Sequence, residues 1–233
     1  VKSDGVIVID PEEGELASGL TGKGRLPELD KIVDLVRRQE SGGRRPRTEA
    51  PGTKNLEPGT SVVITAGPTH EPIDAVRSII NHSSGRMGFA LAEAARDRGM
   101  LVTLIAGPVA LQTPYGVERV NVTTAAQMRD EVASRNEADV IIMSAAVADF
   151  TPEVVADDKI KKADNPKGMT ITLKPTVDIL AELGENKSDR QTIVGFALES
   201  QDVLAYAKGK LERKNADMIV ANKAGVPNSG FGG

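Results

Sequence analysis

An α/β fold, with a mostly parallel sheet and helices on both faces, is predicted by three features of this 233-residue sequence. Short apolar runs alternate with segments of helical periodicity, the pattern left by strand–helix–strand crossovers. The run at 139–145 is apolar enough to be a strand covered on both sides. The balance of 39% apolar to 27% charged residues is that of a folded soluble domain with a sizeable core.

Residues 1–40 hold the apolar run Val6-Ile7-Val8-Ile9, a glycine-rich turn region, and a helical pattern of Ile32, Val33, Leu35 and Val36. Residues 41–59 read as a flexible linker, with Gly42-Gly43, Pro46, Pro51-Gly52 and Pro58-Gly59 and almost nothing apolar. Residues 60–233 form the main domain. Its strands are predicted at 61–66, 101–106, 117–122, 139–145, 171–173, 192–198 and 218–221. Its helices are predicted at 88–98, 124–135, 177–183 and 202–214, the second capped by Thr123 or Thr124. No internal repeat interrupts this order. Open sheets of this kind bind ligands beyond their strand C-termini, which places the chemistry just after Ala66, Ala145 and Leu198.

Composition removes several function classes. A net charge of −4 and 3% aromatic residues argue against a nucleic-acid surface. With no cysteine there is no disulfide framework, no thiolate–zinc site and no thiol nucleophile, and the chain suits a reducing cytoplasm. Two histidines, His70 and His82, are too few for a His-rich metal site and lack a nucleophile partner. No apolar run reaches the roughly 18 residues of a membrane span, so no membrane association is predicted.

The first strand runs into Thr65-Ala66-Gly67-Pro68-Thr69, and the first helix is entered through Asn81-His82-Ser83-Ser84-Gly85-Arg86-Met87-Gly88. Glycines at 85 and 88 would let the backbone approach a bulky anion at the helix N-terminus, with Ser83, Ser84 and Arg86 adding donors. The same glycines would also serve a tight turn and close helix–sheet packing. A dinucleotide site needs G-x-G-x-x-G directly after the first strand and an acid at the end of the second. Here the second strand ends Ala106-Gly107-Pro108, so an NAD(P)-dependent oxidoreductase is the weaker alternative. A Walker A motif is also absent.

Between the glycine loops lie Glu71, Asp74, Arg77 and Asn81; if this stretch is helical, Arg77 and Asn81 share a face. Asp149 leaves the fourth strand as a lone carboxylate, suited to Mg²⁺ held together with substrate phosphates or to capping the next turn. The run Lys159-Ile160-Lys161-Lys162 is, on composition, a solvated face. Lys210 and Lys214 lie one turn apart near a helix C-terminus, where they complement its dipole.

As a set, these stretches resemble phosphopantothenate–cysteine ligase (phosphopantothenoylcysteine synthetase), the C-terminal half of the bacterial bifunctional decarboxylase/ligase of coenzyme A biosynthesis. The likeness covers about residues 60–230. It rests on Thr65–Thr69 with Glu71-Pro72, on Arg77, on Asn81–Gly88, and on Ala145-Ala146-Val147-Ala148-Asp149-Phe150. Lys159–Lys162, Val194-Gly195-Phe196-Ala197 and Val220-Ala221-Asn222 complete it. It implies a Rossmann-like fold, a homodimer, and CTP as the activating nucleotide with 4'-phosphopantothenate and L-cysteine as substrates. The phosphopantothenate carboxylate would attack the α-phosphorus of CTP, giving an acyl-cytidylate and pyrophosphate, and cysteine would displace CMP.

The resemblance places nucleotide phosphates at Gly67, Ser83, Gly85 and Gly88. It places the rest of the nucleotide at Met143, Ser144, Ala145, Val177, Asp178, Ile179, Leu180, Phe196, Lys210, Lys214 and Asn222. Asp149 fits Mg²⁺ or the nucleotide. Asn81, Ala145 and Ala146 fit phosphopantothenate, with Arg77 reaching it from the partner subunit. The likeness turns the Lys159 run from solvated face to site: Lys159 would neutralise the α-phosphate, and Asn81 would orient the acyl carbonyl for cysteine.

Leu16-Ala17-Ser18-Gly19 and Gly22–Leu26 resemble the substrate clamp ending the flavin-dependent decarboxylase half, which usually has Cys where Ser18 stands. No FMN and no decarboxylation are expected on this chain, and the clamp is expected to be poorly packed without its parent domain. The chain reads as a piece of a longer polypeptide, its decarboxylase domain preceding and the end of the ligase sheet following. A module that binds CTP without turning it over is the non-enzymatic alternative.

Overall fold

A computed structural model describes residues 12–15, 21–25, 58–199 and 202–223. In chain order the elements are β1 (Glu12–Glu15), β2 (Thr21–Arg25), β3 (Ser61–Ala66), β4 (His70–Pro72), β5 (Ser78–Ile80), α1 (Arg86–Asp97) and β6 (Leu101–Ala106). They continue with β7 (Glu118–Asn121), α2 (Ala125–Ala133), β8 (Val140–Met143), β9 (Phe150–Pro152), β10 (Leu173–Pro175), α3 (Ile179–Glu185), β11 (Thr192–Glu199), α4 (Val203–Arg213) and β12 (Met218–Lys223). β1 and β2 form an antiparallel hairpin. The Val6–Ile9 run, the Ile32–Val36 pattern and nearly all of the expected linker lie outside the described residues.

Six strands make one parallel sheet in the order β12-β11-β8-β3-β6-β7. The chain starts this sheet in the middle at β3, builds outward through β6 and β7, then returns to the other side of β3 for β8, β11 and β12. The order reverses between the C-terminal ends of β3 and β8, the crevice position at which doubly wound sheets bind ligands. This is a Rossmann-like fold, as the family resemblance implied.

Period-two alternation divides the core. Val62, Ile64 and Ala66 of β3 pack with Leu104 and with Phe89, Leu91 and Ala92 of α1. Val63 faces the opposite side with Ile105, Ile141 and Ile193, beneath Met128 and Val132 of α2 and Leu183 of α3. Ile64, Leu104, Ile105, Ile141 and Ile193 are wholly buried, which is why these strands read as continuous apolar runs. Thr124 caps α2 through a reciprocal box with Gln127, and the buried Glu71 accepts the Ala125 N–H at 2.8 Å. Arg129 grips Glu182 with two guanidinium nitrogens at 2.9 and 2.6 Å, joining α2 to α3.

The condition on which Arg77 and Asn81 would share a helical face is not met, and one predicted strand is displaced. Residues 73–81 are not a helix: β4 and β5 pair antiparallel. The Asp74 carboxylate closes the turn by accepting the N–H groups of Val76 and Arg77, both at 2.9 Å, which offers the backbone an alternative to helix. The short strand expected at 171–173 lies at Leu173–Pro175 and pairs antiparallel with β9, outside the main sheet. Among the described residues no helix is long and apolar enough to cross a membrane.

Candidate active site

Glycine turns lie at this crevice position. Gly67 leaves β3 at φ +77° and Gly85 precedes α1 at φ +75°, left-handed conformations that side chains rarely adopt. The two loops lie back to back: a Cβ on Gly85 would sit 3.4 Å from the Gly67 backbone and 3.1 Å from Val109 Cγ1. Gly67 leans on the same methyl, so Val109, unremarked in the sequence, backs both turns. α1 starts at Arg86, two residues before the predicted 88, because left-handed Gly85 is already its N-cap. Gly88 therefore falls inside the first turn, where a Cβ would meet Ala66 Cβ at 2.5 Å and Ser144 Oγ at 2.8 Å. Its role is close packing, and that packing sets the first-turn amides of α1 over the crevice. The helix has no acidic residue in its first turn and no side-chain cap, so its N-terminal N–H groups and dipole favour an anion. Ser83 Oγ accepts the Gly85 N–H at 3.3 Å and so shapes the turn itself.

β3 and β8 are stitched together past their ends. Pro68 bridges Ala146 in parallel, the Ala146 N–H donates to Gly67 O at 2.8 Å, and the Thr69 N–H donates to Ala146 O at 3.3 Å. Thr65 and Thr69, wholly buried, accept the N–H groups of Ala145 at 3.1 Å and Ala148 at 3.0 Å. Ser144 donates to Thr65 O, and Met143 receives the Thr65 hydroxyl at sulfur, 3.9 Å away. The N–H groups of Ala145, Ala146 and Ala148 are thus consumed inside the fold. What these residues supply is a rigid wall.

Asn81 donates through Nδ2 to Val147 O at 2.9 Å, which places its side chain at this same wall. Asp149 follows, exposed, its main-chain oxygen accepting the Thr176 N–H at 2.9 Å. Among the described residues no group of three His, Asp or Glu side chains could hold a metal alone. A single exposed carboxylate fits Mg²⁺ shared with substrate phosphates, not a protein cage.

Arg77 pairs with Asp74 and donates to Ile160 O at 2.8 Å, so within one chain it is turned toward the lysine loop. The Arg77 guanidinium, with the N–H groups of Ile160, Val76 and Arg77, holds the Asp74 carboxyl far below the usual carboxylate range against the opposing effect of burial. The stability this adds is present above the ordinary value of 3.8 and is lost only as pH falls through the lowered one. Lys159, Lys161 and Lys162 are exposed.

On the far side of β8, Asp178 caps α3, accepting the Ala181 N–H at 2.9 Å, and pairs with Lys214. Burial by itself would raise its pKa, but Lys214, the Ala181 N–H and the charge of Lys210 outweigh burial and lower it. Lys210 donates to Phe196 O at 2.9 Å. The two lysines therefore tie α4 to β11 and to the start of α3, beyond their effect on the helix dipole. Val177 is exposed, whereas Ile179 and Leu180 are core residues that can offer a ligand only backbone. A Cβ on Gly195 would lie 2.7 Å from Leu180 and 2.8 Å from Ile219, so this glycine seats α3 on the sheet. Asn222 lies in β12, in register with Leu198.

Glu71, Asp74, Thr65 and Thr69 stood out in the sequence as motif or polar residues without a positioning role, and Val109 did not stand out at all. The signal of the four polar residues is polarity inside apolar or motif-rich stretches, and Val109 gives none.

The comparisons with known proteins bear on the family and the fold. A family model described as DNA/pantothenate metabolism flavoprotein C-terminal domain matches residues 58–233. The coenzyme A biosynthesis bifunctional protein CoaBC of Bacillus subtilis (strain 168) is 52% identical over 231 residues, 98% of this chain and 54% of that protein. A cysteine/cysteine sulfinic acid decarboxylase from an unknown prokaryotic organism is 49% identical, over 100% of this chain and 63% of its own length. The chain thus spans little more than half the length of these relatives. The crystal structure of the C-terminal domain of a CoaBC protein superposes with a TM-score of 0.64 at 45% identity, covering 72% of this chain and 80% of that one. The chain belongs to the family described as DNA/pantothenate metabolism flavoprotein C-terminal domain.

Proposed function

We propose that this chain catalyses the CTP-dependent ligation of 4'-phosphopantothenate with L-cysteine. The reaction would run through an acyl-cytidylate to 4'-phosphopantothenoylcysteine, CMP and pyrophosphate, within coenzyme A biosynthesis. One observation carries the reading: two left-handed glycines lie back to back at the strand reversal, beneath a helix N-terminus that lacks any acidic residue. That is an anion cradle at the point where a doubly wound sheet binds nucleotides. The name of the Bacillus subtilis relative, which covers 98% of this chain, supports the pathway.

A carboxylate is a poor acyl donor because its leaving group is oxide; transfer to the α-phosphorus of CTP replaces oxide by CMP. The cradle amides hold the β- and γ-phosphates, and the carboxylate attacks the α-phosphorus as pyrophosphate departs. Lys159 neutralises charge on the α-phosphate as it builds. Asn81, held by Val147 O, aligns the acyl carbonyl for the cysteine amine, which expels CMP. Mg²⁺ at Asp149 would supply further charge neutralisation on the phosphates when bound.

The protein acts as a homodimer in this reading, Arg77 reaching the partner's phosphopantothenate. The exposed Val76 and Ile80 of the β4–β5 hairpin, with Phe150 of β9 and Val154 just after it, give such an interface apolar surface. Residues 1–40 are the tail of the decarboxylase half, 41–59 the linker, and the assembled enzyme works in the cytoplasm.

The strand order alone would also suit an NAD(P)-dependent oxidoreductase. Against it, β6 ends at Ala106 and is followed by Gly107, where a Cβ would lie 1.8 Å from Pro68 O, so it offers no acid for a ribose. With phosphopantothenate, cysteine and nucleotide supplied, CTP should yield equal amounts of amide, CMP and pyrophosphate. CTP near a hundredfold of its Kd should also stabilise the fold by about 2.7 kcal/mol. Stabilisation by NADPH and not by CTP overturns the ligase reading, and CTP binding without products reduces it to a binding module.

A further inference from the structure

We propose that Asp74 is a positioning residue that pins the lysine loop at Ile160 and so fixes where Lys159 stands. The role given to Lys159 rests on the ligase reading; the clamp itself rests on geometry.

The Asp74 side chain is wholly buried, and its two oxygens do different work. Oδ1 accepts the N–H groups of Val76 and Arg77, both at 2.9 Å, and closes the β4–β5 turn. Oδ2 faces away from the turn. It accepts the Ile160 N–H at 3.0 Å and the Arg77 Nε at 3.0 Å, and pairs with Arg77 Nη2. The same Nη2 donates to Ile160 O at 2.8 Å. Both main-chain polar groups of Ile160, more than eighty positions along the chain, are thus held by one ion pair. A parallel tie, from the Ala156 N–H to Ile73 O at 3.1 Å, steadies the loop's approach. The flanking Lys159 and Lys161 are exposed, so they project from a backbone point that cannot drift.

The turn does not require this charge. An asparagine at 74 would serve Val76 and Arg77 equally well through its carbonyl oxygen. It could not serve Ile160, because its amide nitrogen would set a donor against the Ile160 N–H and the Arg77 guanidinium. Burying a carboxylate is costly unless every partner is in place, and the partner that explains this carboxylate is the loop. Pinning a charged group before reaction removes reorganisation from the transition state.

Asp74→Asn separates the two functions, keeping the turn and cutting the clamp. Brief trypsin treatment, with fragments identified by mass, should cut after Lys159, Lys161 or Lys162 about tenfold faster than in the wild type, while cleavage after Lys187 is unchanged. Pyrophosphate release should lose about tenfold in kcat, with the KM for cysteine within about twofold. Loop cleavage at the wild-type rate overturns the proposal, as does a uniform rise at all sites, which marks a merely structural role. An active wild type whose Asp74→Asn variant keeps full kcat overturns the positioning of Lys159 while leaving the ligase reading intact. If the wild type releases no pyrophosphate, the ligase reading fails and the cleavage comparison alone decides the clamp. Should Asp74→Asn not fold, Arg77→Lys, read by cleavage only, retains the ion pair and drops the bond to Ile160 O. It must open the loop as well, and an unchanged loop in that variant counts against the clamp.

Discussion

Replacing Lys159 with glutamine is expected to lower pyrophosphate release from CTP and phosphopantothenate by about a hundredfold to a thousandfold, the usual cost of losing a preorganised charge-stabilising group. Glutamine keeps the length and a hydrogen-bond donor but removes the ammonium, so the loss reports charge and not reach. The loop should stay where it is, because it is pinned through the main chain of the next residue, Ile160, and not through the lysine. Asn81→Asp should fail differently. The Asn81 amide donates to Val147 O, and a carboxylate there would repel that oxygen and the negatively charged acyl-cytidylate. Pyrophosphate should still appear, but little amide should form. The measurement is a comparison of the two half-reactions, pyrophosphate without cysteine and amide with it. Equal loss of both steps in Asn81→Asp contradicts the division of labour between the two residues.

Gly88→Ala is expected to damage both fold and binding through a single methyl. It would lie 2.5 Å from Ala66 Cβ, 2.8 Å from Ser144 Oγ and 3.0 Å from Thr65 O, and none of these neighbours is a flexible tip. The first turn of α1 must therefore move off the ends of β3 and β8. Overpacking of this kind costs about 1–3 kcal/mol, or roughly 3–10 °C in Tm for a domain of this size. The displaced amides should also weaken CTP at least about tenfold, a cost of about 1.4 kcal/mol. Gly209→Ala is the control. It lies within α4 with no atom inside 4 Å of a new Cβ, so it should leave CTP binding unchanged and raise stability by up to about 1 kcal/mol. Calorimetry of CTP binding and thermal melts of both variants check this. An unchanged CTP affinity in Gly88→Ala would show that the α1 terminus does not hold the phosphates.

What was legible in the sequence follows from the range of each interaction. β3, β6 and β11 were placed to within a residue or so because a strand buried on both faces must be continuously apolar. A cap at Thr123 or Thr124 was legible, and the structure places it at Thr124, boxed with Gln127 three residues on. Gly85 was legible as a turn because positive φ leaves a mark in residue type, whereas Gly88, paired with it in the sequence reading, serves close packing inside the first helical turn. The β4–β5 hairpin was not, since three-residue strands carry too little periodicity to compete with the i, i+4 spacing of Arg77 and Asn81. What decides it is the Asp74 side chain, through bonds to its own backbone. Thr65 and Thr69 look like incidental polar residues in a motif until β8 is laid beside them and their hydroxyls receive the N–H groups of Ala145 and Ala148. The clamp on Ile160 and the Val109 methyl beneath two glycines join segments far apart in the chain, and no local pattern encodes such contacts. The lysines at 210 and 214 were explained only in part by their helix terminus, because Asp178 and Phe196 O come from other elements.

Whether the crevice makes an acid reactive by attaching it to a nucleotide can be read from where the carboxylate oxygens go. Phosphopantothenate carrying heavy oxygen in its carboxylate should be turned over with CTP and cysteine, and the products weighed by mass spectrometry. Attack of that carboxylate on the α-phosphorus, followed by expulsion of CMP, must leave one labelled oxygen on CMP, with none on pyrophosphate and one retained in the amide carbonyl. Unlabelled CMP, or label appearing in inorganic phosphate beside CDP, would contradict attack at the α-phosphorus and with it the acyl-cytidylate.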